Sequence, residues 1–577
     1  MVKPKLAQYA RGALLRLRQA ASDEWHAMPL YRAVVFSGPA PILHKPWPKR
    51  PFTPDPVHGE DIADGVLQLA GKRLSFDSIE DAWAQPTPSR AFASSLHSFG
   101  WLDDVSAYAN HDEAAALTRG HVDAWINKYG RWNRFAWNEA ITAERCLAWL
   151  GAAAYLFSGN AVDISTRLDS LGRQLRHLKS VIPVCDENET KLWIAIALAT
   201  AGTCLFGMKG FQKTGLDLLE LEIGKQVLPD GGHGSRNPQI AARLMVELDA
   251  LSTLLDQQTM MVPSFIRQTL DKLQPFVRFC MMATGELAPF NGGGVGDRLA
   301  IRQALPVLRK SETPFLFAPH SKYQRLQSKR STLLFDCGGT PLGAQASNAH
   351  AGTLSFVFET KSGNLITNCG WSADLSEQWR YPSRTSAAHS TLIIDDMSSS
   401  RVLVKGLATK LLGPIAYDRE DAFPARRTEN DDGVWLSGRH REYVSRYGLQ
   451  HNRRLFLDKT GFDLRGEDSL ERPVGVKKTQ NLQPIAYVLR FHLHPNVRAS
   501  MARDHCSALL LLENGEGWRF RCDQAQISLE PSIYLATGAP PKRTVQILIT
   551  GAADPNGMGE EPSNCVRWSL RKIDTNS

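Results

Sequence analysis

The sequence predicts an all-α region followed by an antiparallel β-sandwich. Two observations carry this. Up to about residue 310, apolar side chains recur at helical spacing, and each run ends at Pro or Gly. After Leu316 they fall in short segments rich in β-branched and aromatic residues, with no long helical run between them.

The N-terminus predicts a basic helix, with Lys3, Lys5, Arg11, Arg16 and Arg18 flanking Leu14, Leu15 and Leu17. Such a helix either docks on its own protein or lies on a membrane surface. Arg16 and Arg18 interrupt the apolar run, so no secretory signal is predicted. No stretch of about 18 apolar residues exists, so no transmembrane helix is expected. Seven prolines from Pro39 to Pro56 predict an extended segment over 38–60, within a lead-in of residues 1–74.

A helical domain is expected over 75–315. Residues 189–206 are nearly all apolar and predict a helix buried on most sides. Helices over 213–227, 238–257 and 263–283 follow as antiparallel pairs. Trp132, Trp137, Trp149 and Trp193 fit either a sugar-stacking cleft or a core. The sandwich is expected over 316–577, beginning with strands at 331–337, 353–360, 364–369 and 390–395. Nine more are expected, among them 433–438, 442–447, 452–458, 461–465 and 486–493. Many short strands without crossover helices mean antiparallel sheets, most simply stacked.

Composition excludes several classes. With 43% apolar and 22% charged residues, the chain is neither disordered nor a disulfide scaffold. The net charge of +8 favours polyanions without identifying one. No basic run interleaved with aromatics argues for nucleic acid. Nine cysteines without a CxxC pair read as reduced, mostly buried thiols.

Three loops concentrate the polar chemistry. The first is Pro229-Asp230-Gly231-Gly232-His233-Gly234-Ser235-Arg236-Asn237-Pro238, between two predicted helices. Its glycines allow a sharp turn, and it displays His233, Arg236 and Asn237. The second, Asn348-Ala349-His350, precedes a strand. The third, 379–390, leads into another strand and carries Tyr381, Arg384 and His389. A hairpin between the last two loops is positioned to bring His350 and His389 together. Gly466-Glu467-Asp468 reads as a solvated turn, and His492-Leu493-His494 puts two imidazoles on one face of a strand without an evident third metal ligand.

The segments NAHAGTLSF (348–356), LITNCG (365–370) and RTSAAHSTLIIDD (384–396), behind a helical region, resemble the heparinase II/III family of polysaccharide lyases. The resemblance implies an incomplete (α/α) toroid followed by a β-sandwich. It also implies an acidic polysaccharide partner and β-elimination beside a uronate carboxylate. Arg236, Asn237, Asn348 and Arg384 would then bind substrate, and His233, His350, Tyr381 and His389 would supply base and acid. In some members a structural zinc sits at the positions of His350 and His389. The family's aspartate in that set is Asn368 here, so the donor set is incomplete. The family's toroid-loop tyrosine falls near Ile240 and its acid near Ser235. A non-catalytic glycan binder of polysaccharide assembly or export is therefore the alternative expectation. The lack of a visible signal points to the cytoplasm, and the resemblance points to the cell envelope. Oligomeric state is not encoded in these signals.

Overall fold

The structure is a computed structural model. It describes residues 6–573 apart from 45–49, 109, 187, 308–314, 342, 404–405, 414–415, 418–422, 479, 481–482, 524–525, 558 and 560–562. Lys3 and Lys5 thus lie outside the described residues.

Helix α1 (Leu6–Ala27) opens the chain. The helical region is then built mainly from α2 (His111–Tyr129), α3 (Glu139–Gly151), α4 (Ala161–Val181), α5 (Thr190–Cys204), α6 (Lys209–Gln226), α7 (Pro238–Gln257) and α8 (Ser264–Cys280). Short polar side chains set several starts. Asn110, Asn138, Asn160 and Asn237 each accept a backbone N–H at the helix N-terminus. In α5 every residue except Thr190 and Gly202 is buried, as its largely apolar composition requires. Trp137 and Trp149 are core residues, whereas Trp132 is partly exposed.

Among the described residues, only the end of the Pro-rich segment departs from its expected extended form. Pro56–Ala63 is helical, because Pro56 sits in the first turn, where its missing N–H costs nothing. Asp55 caps that helix by accepting from Val57 and His58 N–H.

The second half forms two large antiparallel sheets. In one, the order is 527–534, 542–553, 485–493, 363–367, 356–360, 331–336, 323–327 and 317–318, with 392–394 also pairing with 485–493. The other orders 423–429, 433–440, 450–458, 463–471, 565–572, 517–522, 507–512 and 497–501. Their inner faces share a core in which the Phe356 ring stacks on Trp568 and Phe358 meets Trp518 edge-on. The strand Ser331–Asp336 is buried on both faces. One face feeds the sandwich core, and Leu334 joins the helical core, so the first sheet also packs against the helices.

Two local expectations fail. Residues 444–447 form a helical turn, not a strand. Gly466-Glu467-Asp468 lies inside a strand, not in a solvated turn. Period-two alternation points Asp468 inward, where it accepts from Arg453, His451 and Trp568.

Buried neutral histidines tie the helical layer together. His177 Nε2–H donates to Trp137 O at 2.9 Å, and its Nδ1 accepts from Tyr31 Oη–H at 2.9 Å. His97 Nδ1 accepts from Trp125 Nε1 at 2.9 Å. Burial pushes both imidazoles down to about 3. Their unfolded value is about 6.5, so protonation favours the unfolded chain below it. This contribution is fully present above about pH 6.5 and is lost as pH falls toward 3. The melting temperature is expected to fall between about pH 7 and about pH 4.5, and less steeply in His177→Gln. Equal slopes in the two proteins would contradict this assignment.

Candidate functional site

The loop between α6 and α7 turns tightly. Gly231 adopts φ +86°, and a Cβ there would lie 2.0 Å from Lys272 O. The turn carries His233 inward to full burial. Its Nδ1 accepts from Ser235 N–H at 3.1 Å and meets Ser235 Oγ at 2.7 Å. Nε2–H therefore donates to Gln226 Oε1 at 3.0 Å. Burial lowers its pKa to about 4, so the ring is neutral with both nitrogens occupied.

Arg236 crosses from this loop to the first sheet. It donates to Ser321 O at 2.8 Å, to Gly339 O at 2.9 Å and to the Asp336 carboxylate. Its guanidinium also lies 4.8 Å from the centre of the Tyr323 ring. Asn237 is buried, and its Oδ1 caps α7 through Gln239 N–H at 2.8 Å. Both residues expected to hold substrate are thus engaged by the protein.

The hairpin does bring His350 and His389 together. His350 Nδ1 and His389 Nε2 are 3.3 Å apart, and both residues are buried. His389 Nδ1–H donates to Thr385 O at 2.8 Å, which leaves Nε2 to accept from His350 Nδ1–H. His350 Nε2 then carries a lone pair. It has no hydrogen-bond partner and sits against Gly292, where an added Cβ would be 3.4 Å away. Burial and the neighbouring His389, Arg384 and Arg380 hold His350 well below the usual imidazole range. Arg384 donates to Ala349 O at 2.9 Å and Ala346 O at 3.1 Å, fixing this loop from inside. Tyr381 stands apart from these buried groups at 48% exposure.

A zinc does not fit this donor set. Asn368 Oδ1 accepts from Ser390 N–H at 3.0 Å, and its Nδ2 donates to Pro289 O at 3.4 Å. No carboxylate joins the two imidazoles, and among the described residues no three His, Cys, Asp or Glu side chains converge. His492 is likewise tied to Ser532 Oγ at 2.7 Å and Ala387 O at 3.0 Å.

Sequence reasoning missed a second cluster at the seam. Asn348 Nδ2 donates to Glu189 Oε1 at 3.3 Å, and Asn348 Oδ1 accepts from Arg380. Arg380 lies 5.0 Å from the centre of the Trp371 ring. Burial raises the Glu189 pKa against the opposing pull of Arg380 and Arg243. Its only sequence signal is an acid directly before the apolar run of α5.

Comparison with known proteins places this geometry. A family model described as "Heparinase II/III-like, C-terminal" matches residues 310–569. The structure resembles heparinase III with a TM-score of 0.65 at 13% identity, covering 99% of this chain and 93% of that one. It also resembles a heparan sulfate lyase HepC mutant from Pedobacter heparinus, with a TM-score of 0.56 at 14% identity, covering 99% and 89%. The chain belongs to the heparinase II/III-like family. It is also 33% identical over 559 residues to FtsZ-localized protein C of Caulobacter vibrioides, covering 96% of this chain and 94% of that protein.

Two expectations follow from the site. Arg236→Met leaves Asp336 buried and unpaired, and should cost about 3–5 kcal/mol in thermal or denaturant unfolding, whereas Tyr381→Phe should be neutral. Exhaustive dialysis against a chelator should leave the melting temperature unchanged, and elemental analysis should find no stoichiometric zinc. A chelator-induced drop would contradict the reading of the His350–His389 pair.

Proposed function

We propose that this chain is a non-catalytic member of the heparinase II/III-like family that works with FtsZ polymers in bacterial cell division. The observation that carries the first half is the engagement of His233, Arg236, His350 and His389 by the protein's own groups. Elimination needs a base with a free lone pair at the substrate and donors free to neutralise its carboxylate. The one unengaged imidazole nitrogen of the three loop histidines, His350 Nε2, is sealed behind Gly292. Support for the second half is the 33% identity, along nearly the whole chain, to a protein named for its localisation with FtsZ.

A second reading, an acidic-polysaccharide lyase, is favoured by the Glu189–Asn348–Arg380 cluster. There Arg380 and Asn348 would hold a uronate carboxylate, and Glu189, its pKa raised by burial, would take the proton. The carbon–oxygen bond to the leaving sugar would then break as the new double bond forms, and the leaving oxygen would take a proton from water.

The test is co-sedimentation of the purified protein with FtsZ assembled in GTP. The protein should pellet with polymers and remain soluble when FtsZ is kept unassembled. Glu189→Gln should pellet equally. A protein that stays in the supernatant under both conditions would overturn the proposal.

A further inference from the structure

Helix α1 lies in the groove between the helical region and the sandwich, and divides it into two cavities. One, of about 1250 Å³, has Arg16, Asp23 and His26 of α1 facing Trp132, Glu139 and Lys410. The other, of about 740 Å³, has Leu14, Leu15 and Arg18 facing Cys185, Gln226 and Gln345. On the sandwich side α1 rests on the short helix α9 (Leu407–Leu412). The contact is close at Gly12, where a Cβ would lie 2.8 Å from Leu411 O and 2.9 Å from Leu412 Cδ2. On the helical side Gln19 Nε2 donates to Val184 O and Asp186 Oδ1, both at 3.3 Å, and Arg16 lies 3.8 Å from Asp186.

The attachment is light for a helix of this length. Of its 22 residues only Gly12 and His26 are buried. Leu6, Leu14 and Leu17 are 85%, 50% and 68% exposed, so little apolar area holds it down. Its ion pairs are partly exposed and contribute little. The anchor is at one end. His26 packs against Tyr31 and His177, with ring centres 4.5 and 4.9 Å away. Directly after it, Met28 precedes Pro29, a step that disfavours continued helix and interrupts the chain before Pro29–Val35. One firm end, a helix break beside it and a loosely held body describe a hinged strap.

We propose that α1 is a releasable strap that closes the seam groove, pivoting at His26–Pro29, and that its release joins the two cavities into one continuous channel. Closed, it covers the wall of α4, α5 and α6 that faces the sandwich. A partner that engages either the freed helix or the opened channel draws the population toward the open state. This inference concerns access and stands independently of whether FtsZ is the partner.

Cys185 reports the strap directly, because it is buried and lines the second cavity beside α1. Cys146 and Cys204 are buried in the helical core and report loss of fold. The experiment is N-ethylmaleimide labelling of the full chain, mapped cysteine by cysteine by mass spectrometry. Gly12→Trp cannot seat against α9. Gln19→Ala removes both hydrogen bonds to the helical side without adding bulk. Both should label Cys185 at least about tenfold faster than wild type, with Cys146 and Cys204 unchanged. An unchanged Cys185 rate in both variants would overturn the strap. So would labelling of Cys146 and Cys204 that rises in step with Cys185, since the helix would then not leave without unfolding the domain beneath it.

Discussion

The buried pair Arg236–Asp336 is the constraint on which the rest of the seam depends. Asp336 ends a strand whose two faces belong to different cores, and Arg236 comes from the loop that joins α6 to α7. Their surroundings leave neither charge unmet. Asp336 also accepts from Gly338 N–H at 2.9 Å and Asn291 Nδ2 at 3.4 Å, and Tyr323 Oη–H donates to Arg236 O at 2.6 Å. A charge pair this deep is costly to break, because removing either partner strands the other away from water. It fixes the loop, and the loop fixes His233 and the start of α7.

That constraint explains why a fold shared with lyases need not eliminate. The groups that the resemblance assigned to elimination are engaged by the protein itself. Arg236 fastens sheet to loop, Arg384 fastens its own loop, and His350 Nδ1–H donates to His389 Nε2. At the position where the resemblance implied an aspartate in some members, Asn368 donates and accepts within the backbone network. Glu189, Asn348 and Arg380 form a separate polar chain in which Asn348 donates to Glu189 and accepts from Arg380.

Much of the fold was legible in the sequence because burial has a period. The nearly all-apolar run of α5 and the strand at 331–336 announced themselves by composition, though the burial of that strand on both faces did not. The strand at 463–471 was misread because Asp468 is inward and charged, and its partners His451 and Arg453 come from a neighbouring strand. The site was legible only in part. The approach of His350 to His389 follows from hairpin geometry, which spacing encodes. The capture of Arg236 by Asp336, 100 residues away, does not, since no local pattern names its partner. Glu189 and Asn348 meet across 159 residues for the same reason. The path of α1 along the seam depends on Gly12 fitting α9, a tertiary fit invisible to helical periodicity.

The most direct test of the account is the ultraviolet absorbance of the protein mixed with uronate-containing polysaccharides, among them heparan sulfate, hyaluronan and alginate. The trace should remain flat for the wild type and for a strap-opened Gly12→Trp variant alike, because opening the groove does not free the engaged histidines. Rising absorbance from a new carbon–carbon double bond in either protein, lost in Glu189→Gln, would contradict the account and establish elimination at the seam.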